Sequence, residues 1–117
     1  MCYHSTRMSW TIVYYSEAVQ NEIRAWPPGL RARFVRVRDL MVDEGPDLEM
    51  PHTRAMGKGL FEIRCRSHEG FGRVFLGTRP GRKIVMLHAF LKKTARTPPR
   101  ELAVAYRRLR EVISGEA

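Results

Sequence analysis

Arg64, Arg66 and Arg73, followed by His88, Lys92 and Lys93, are the residues of this sequence whose types and spacing bear most directly on chemistry. Breaking an RNA backbone through the 2′-hydroxyl requires a group to take its proton, donors to steady the charge on the phosphorane-like transition state, and an acid for the leaving oxygen. Arginine offers paired donors to phosphate. Lysine offers a compact charge whose pKa falls among like charges, which suits it to moving a proton. Phe71 and Phe75 share strand parity with Arg73 and are placed either to stack on unpaired bases or to pack in the core.

The charge is uneven along the chain. From Lys92 to Arg110 stand Lys92, Lys93, Arg96, Arg100, Arg107, Arg108 and Arg110 against the single acid Glu101. That composition fits a nucleic-acid grip and fits equally a solvated helix face. Other candidates carry less. His4 falls in an N-terminal tail, His52 and His68 fall in loops, and no histidine, cysteine or carboxylate spacing implies a metal or other cofactor. Cys65 follows an inward-facing pattern and reads as a small buried apolar residue, and Tyr106 lies on an apolar helix stripe.

These residues need elements to hold them. Trp10 to Tyr15 reads as a strand, and Ser16 caps a helix with Val19, Ile23 and Trp26 on one side, stopped by Pro27-Pro28-Gly29. A second helix carries Leu30, Phe34, Val37, Leu40 and Met41 on one face and Arg31, Arg33, Arg36 and Arg38 largely on the others, and is expected to pack antiparallel to the first. Asp43 to Gly59, rich in glycine and proline, reads as a loop.

From Leu60 the period becomes two, with Phe61, Ile63 and Cys65 alternating against Glu62, Arg64 and Arg66. Turns at Ser67–Gly70 and Arg79–Arg82 then lead into strands Phe71–Thr78 and Lys83–Leu91, an antiparallel meander whose last strand is apolar on both faces and so belongs inside the sheet. Thr97 reads as the cap of a closing helix with Pro98 at its first position. The order is β-α-α-β-β-β-α, an α+β fold with about four strands. Its non-core face is expected to be open and to gather Arg64, Arg73, His88 and Lys92.

A length of 117 residues predicts one domain over residues 10–117, preceded by a tail at residues 1–9 in which Met8 offers a second start. A formal charge of +9 and a pI near 10.4 point to a polyanionic or acidic partner. Two distant cysteines imply reduced thiols, and no apolar run is long enough to cross a membrane, so a cytoplasmic protein with no membrane partner is expected.

Gly59-Leu-Phe-Glu-Ile-Arg64, Gly72-Arg73-Val-Phe75, Leu87-His-Ala-Phe-Leu-Lys92-Lys93-Thr, and Thr97-Pro98 with Glu101-Leu102, in this order and spacing, resemble the RelE/HigB-type toxins of type II toxin–antitoxin systems, in their phage-derived endonuclease-like branch. The resemblance runs from about Trp10 to Val112. It implies a small α+β toxin that enters the ribosome and cuts mRNA without a metal. It also implies a cognate antitoxin, usually of helix-turn-helix type, through which alone the toxin would meet DNA.

Carried over by residue, Arg64 and Arg73 match positions that hold phosphate, and Lys92 and Lys93 match the basic pair after the last strand. Arg66, Phe75, His88, Arg96, Arg100, Arg107 and Arg108 are the expected RNA-binding residues. No residue clearly matches the C-terminal tyrosine or histidine that parts of the superfamily use for proton transfer. A non-catalytic basic nucleic-acid-binding module, or a phage-derived protein-interaction module, is the alternative that the composition allows.

Overall fold

The computed structural model describes residues 9–49, 52–92 and 96–115. Its elements are β1 (Thr11–Tyr14), α1 (Glu17–Arg24), α2 (Pro28–Glu44), β2 (Thr53–Gly57), β3 (Leu60–Ser67), β4 (Gly70–Arg79), β5 (Lys83–Lys92) and α3 (Pro99–Ser114). The described strands form one sheet in the order β1-β5-β4-β3-β2, with β1 parallel to β5 and the other neighbours antiparallel. As its two-sided apolar sequence requires, β5 lies inside the sheet.

Local chemistry accounts for most boundaries. Ser16 Oγ accepts from Val19 N at 3.3 Å and starts α1, and Gly115 ends α3 at φ 82°. Pro28 and Gly29 belong to the first turn of α2 rather than to a linker, because proline at a helix start forfeits an amide that has no helical partner there. The amide of Gly29 is capped from a distance, donating to Glu69 Oε1 at 3.0 Å from the β3–β4 turn.

Three expectations are corrected. The segment read as a loop contains β2, which turns into β3 through Lys58 and Gly59 at φ 58° and 87°, the left-handed pair of a tight hairpin. This edge strand is short and mostly exposed, so it lacks the alternation that betrays a half-buried strand. The closing helix begins one residue later than expected, with Pro98 at the cap and Pro99 at its first position, because the Thr97 hydroxyl donates instead to Glu62 Oε2 at 3.1 Å. Finally, α1 packs on β5 and α2 mainly on β3, so the two helices scarcely meet and a groove opens between them.

The sheet is covered on both sides. Beneath α1 and α2 lie Val19, Ile23, Phe34, Val37 and Met41 with Ile63, Cys65, Val74 and Met86. Trp26 seals this core by lying flat on β4, where a Cβ on Gly72 would come within 2.7 Å of its ring. Beneath α3 lie Leu60, Phe75, Val85, Leu87 and Phe90 with Ala105, Leu109 and Val112. The face expected to be open therefore carries a helix. Only the end of it beyond α3, around Arg64, Arg66 and Lys92, is left to the polar residues.

Candidate active site

Pairing across the meander settles which side chains share that end. Arg64 stands opposite Arg73, which stands opposite Phe90, and the next row holds Arg66, Phe71 and Lys92. Residues in register share a face, so Arg64, Arg66, Arg73 and Lys92 are gathered on the α3 side, Arg64 and Arg73 two residues and Arg66 and Lys92 four residues along their strands from the row of Glu62, Phe75 and His88. A bulge where Leu76 pairs with Met86 leaves Leu87 and His88 both on this side: Leu87 packs beneath α3 and His88 pairs with Glu101 of α3.

The gathered cations are not equivalent. Arg73 is 2% exposed and its Nε lies 3.4 Å from Glu62 Oε2, a carboxylate that is itself 1% exposed and also approached at 3.9 Å by Arg64 Nε. Burial pulls the Arg73 guanidinium below its ordinary value, and the Glu62 charge works against that pull. Arg64 is 29% exposed, Arg66 is exposed, and the guanidinium carbons of Arg66 and Arg73 lie 5.8 and 5.6 Å from the Phe71 ring. Lys92 extends along this surface with a buried Nζ that has no hydrogen-bond partner among the described residues. Its pKa is lowered, first by burial and next by the neighbouring Arg73 charge.

Other expected site residues lie elsewhere. Phe75 is fully buried beneath α3, tilted against Phe90 at 5.8 Å between ring centroids, so its ring fills the core rather than stacking on a base. Phe71 is partly exposed and already flanked by guanidinium groups. His88 Nε2 lies 2.6 Å from Glu101 Oε1 and ties the start of α3 to β5. Arg108 donates to Leu87 O at 2.8 Å and lies over the Tyr15 ring, which makes it a brace for α3. Arg96, Arg100 and Arg107 are exposed, and Arg100, Arg107 and Arg110 share one face of α3. Lys93 lies outside the described residues.

Sequence reasoning missed Glu62. Alternation assigned it to the outward face with Arg64 and Arg66, and nothing local marks it as the buried counter-ion of a residue on the next strand.

A family described as "Phage derived protein Gp49-like (DUF891)" matches residues 21–110. The chain belongs to the Gp49-like family. This is a RelE/HigB-type toxin family, as the ordered motifs from Gly59 to Leu102 led us to expect. A chain of the archaeal RelE-RelB complex from Pyrococcus horikoshii OT3 superposes on this Gp49-like chain with a TM-score of 0.54 at 22% identity, covering 77% of this chain and 100% of that one. The α+β RelE-like fold is thereby shown, with a fifth strand, β2, beyond the four expected. No curated protein matches the sequence. No helix among the described residues is long and apolar enough to cross a membrane.

Proposed function

We propose that this Gp49-like chain is the toxin of a type II toxin–antitoxin pair and cuts messenger RNA on the ribosome, in the cytoplasm and without a metal, residues 10–117 forming the toxin domain. The observation that carries this reading is Lys92: an amine with a buried nitrogen that has no hydrogen-bond partner among the described residues and a lowered pKa, on the same sheet face as Arg64, Arg66 and Arg73. A folded chain tolerates such a group at a cost in stability, and a task in proton transfer explains why it is there.

In this reading Lys92, in its neutral form, takes the proton of the 2′-hydroxyl, the freed oxygen attacks the adjacent phosphorus, and the bond to the 5′ oxygen breaks as that oxygen gains a proton from Lys93. Arg64 and Arg66, both accessible, hold the phosphate oxygens as charge builds on them. Arg73 is too enclosed for that contact. It works by position, adding its charge to the burial that lowers the pKa of the neighbouring amine, while Glu62 fixes it in place. The exposed stripe of Arg100, Arg107 and Arg110, with Arg96, grips ribosomal RNA. The P. horikoshii chain was crystallised as a RelE-RelB complex, and a corresponding antitoxin, of helix-turn-helix type, restrains this one.

Induction of the wild-type chain is expected to arrest growth and to leave new 5′ ends within translated messages by primer extension. The Arg64→Ala, Lys92→Ala double variant, folded by circular dichroism, is expected to do neither. Undiminished arrest by that variant removes the site, and a wild-type chain that binds RNA without cutting it supports the binding-module alternative.

A further inference from the structure

On the side of the sheet away from Lys92, the gap between α1 and α2 is a groove of about 740 Å³ whose composition differs from that of the candidate active site. Its floor is apolar: Ile23 and Phe34, both buried, with Pro28 and Ala32 on the wall. Its rim is cationic, with Arg24, Arg31, Arg36 and Arg38 against one acid, Asp39, which pairs with Arg38 at 3.2 Å. Arg31 and Arg36 are exposed and make no ion pair among the described residues.

Helix α2 also leaves apolar side chains on its outer surface, Val35 at 40% and Leu40 at 39% exposure. A helix that only had to cover the sheet would carry polar residues there. Arginine around an apolar centre is the composition of a protein interface, where the apolar part excludes water and the guanidinium groups choose the partner's charge. Single-stranded RNA is instead held by stacking platforms along a basic track, and the groove's two aromatic rings are half-buried Tyr14 and Phe34, which is 2% exposed at the floor, so neither presents an open face for stacking.

We infer that the α1–α2 groove is the docking surface for an acidic amphipathic helix of the antitoxin, its apolar stripe on Ala32 and Val35 above Phe34 and its carboxylates on Arg31 and Arg36. The lining stretch of α2, Pro28 to Asp39, is about 18 Å long at 1.5 Å per residue, enough for a partner helix of about three turns. The surface lies across the sheet from the residues that would cut RNA, so a helix docked there leaves those residues uncovered. The inference rests on the toxin reading for the partner's identity and on the groove's own chemistry for its charge and shape.

The test uses the full chain and three labelled probes followed by fluorescence anisotropy: a helical peptide with a leucine stripe flanked by glutamates, the same peptide with lysines for glutamates, and a single-stranded RNA oligonucleotide. The glutamate peptide is expected to bind in a salt-sensitive manner. The Arg31→Glu, Arg36→Glu variant is expected to lose at least about tenfold in that affinity, to gain affinity for the lysine peptide, and to keep wild-type affinity for RNA. Absence of glutamate-peptide binding, indifference of that binding to the substitutions, or loss of RNA binding in its place overturns the inference. Growth arrest separates the two readings. The variant keeps it if the wild type has it, whereas a wild-type chain that arrests nothing ends the toxin reading without touching the peptide result.

Discussion

Neighbouring residues of β3 and β4 live in opposite surroundings. Ile63, Cys65 and Val74 point beneath α1 and α2 into an apolar layer, where burial pushes the Cys65 thiol up to about 12 and so leaves it a protonated, unreactive filler. One residue away on each strand, Glu62, Arg64 and Arg73 point to the other side, where a buried ion pair and a buried amine replace hydrocarbon. The first layer is built from interactions that need no particular partner. The second depends on particular pairs, and a pair broken on one side leaves a charge stranded in the protein. The two sides of one sheet thus differ in what a single substitution does to them.

The comparison breaks most clearly at Glu62. Replacing it by alanine leaves the Arg73 charge buried without its carboxylate and is expected to cost about 3–5 kcal/mol by urea denaturation. The neighbouring Ile63→Val, in the apolar layer, is expected to cost only about 0.5–1.5 kcal/mol. Replacing both partners, Glu62→Leu with Arg73→Met, is expected to recover most of the loss, because two charges then no longer need to be desolvated. If Glu62→Ala costs no more than Ile63→Val, the pair is not what holds this end of the sheet.

Lys92 sharpens the contrast by reversing its sign. Since its Nζ is buried without a hydrogen-bond partner among the described residues, Lys92→Met is expected to raise the melting temperature by a few degrees while abolishing growth arrest. The pH dependence follows from the lowered pKa. Between the native value and the ordinary amine value of 10.5, the unfolded chain binds more protons than the folded one, so wild-type stability rises with pH across that window. The advantage of Lys92→Met is therefore largest below the native pKa and shrinks above it. An advantage that stays constant with pH would mean that the amine is not strained in its charged form.

What the sequence made legible follows the same division. Period-two alternation from Leu60 onward assigned Ile63 and Cys65 to one face and Arg64 and Arg66 to the other, and the apolar run from Ile84 to Leu91 placed β5 inside the sheet. Alternation reports which way a side chain points and is silent about what covers it. Thus the α3 cover over Phe75, the enclosure of Arg73 and the pairing of Glu62 with Thr97, 35 residues away, were hidden. Exposed β2 was hidden for the opposite reason, since a strand that buries little leaves no hydrophobic period to read.

The smallest expected effect concerns the phenol of the closing helix. Tyr106, on α3, donates its hydroxyl proton to the carbonyls of Met56 and Gly57 at 2.9 and 3.0 Å, and so pins β2. Gly57 pairs with Leu60 at one end of β3, whereas Lys92 belongs to the row of Arg66 near the other end, about 20 Å away at 3.3 Å per residue. A phenol at that distance cannot share the proton-transfer role proposed for Lys92. Tyr106→Phe is therefore expected to cost about 0.5–1.5 kcal/mol, seen as faster amide exchange in β2 while β4 and β5 stay protected, and to leave growth arrest at the wild-type level. Loss of arrest in a folded Tyr106→Phe variant would move the proton-transfer chemistry away from Lys92 and erase the division of labour between the two ends of the α3 face.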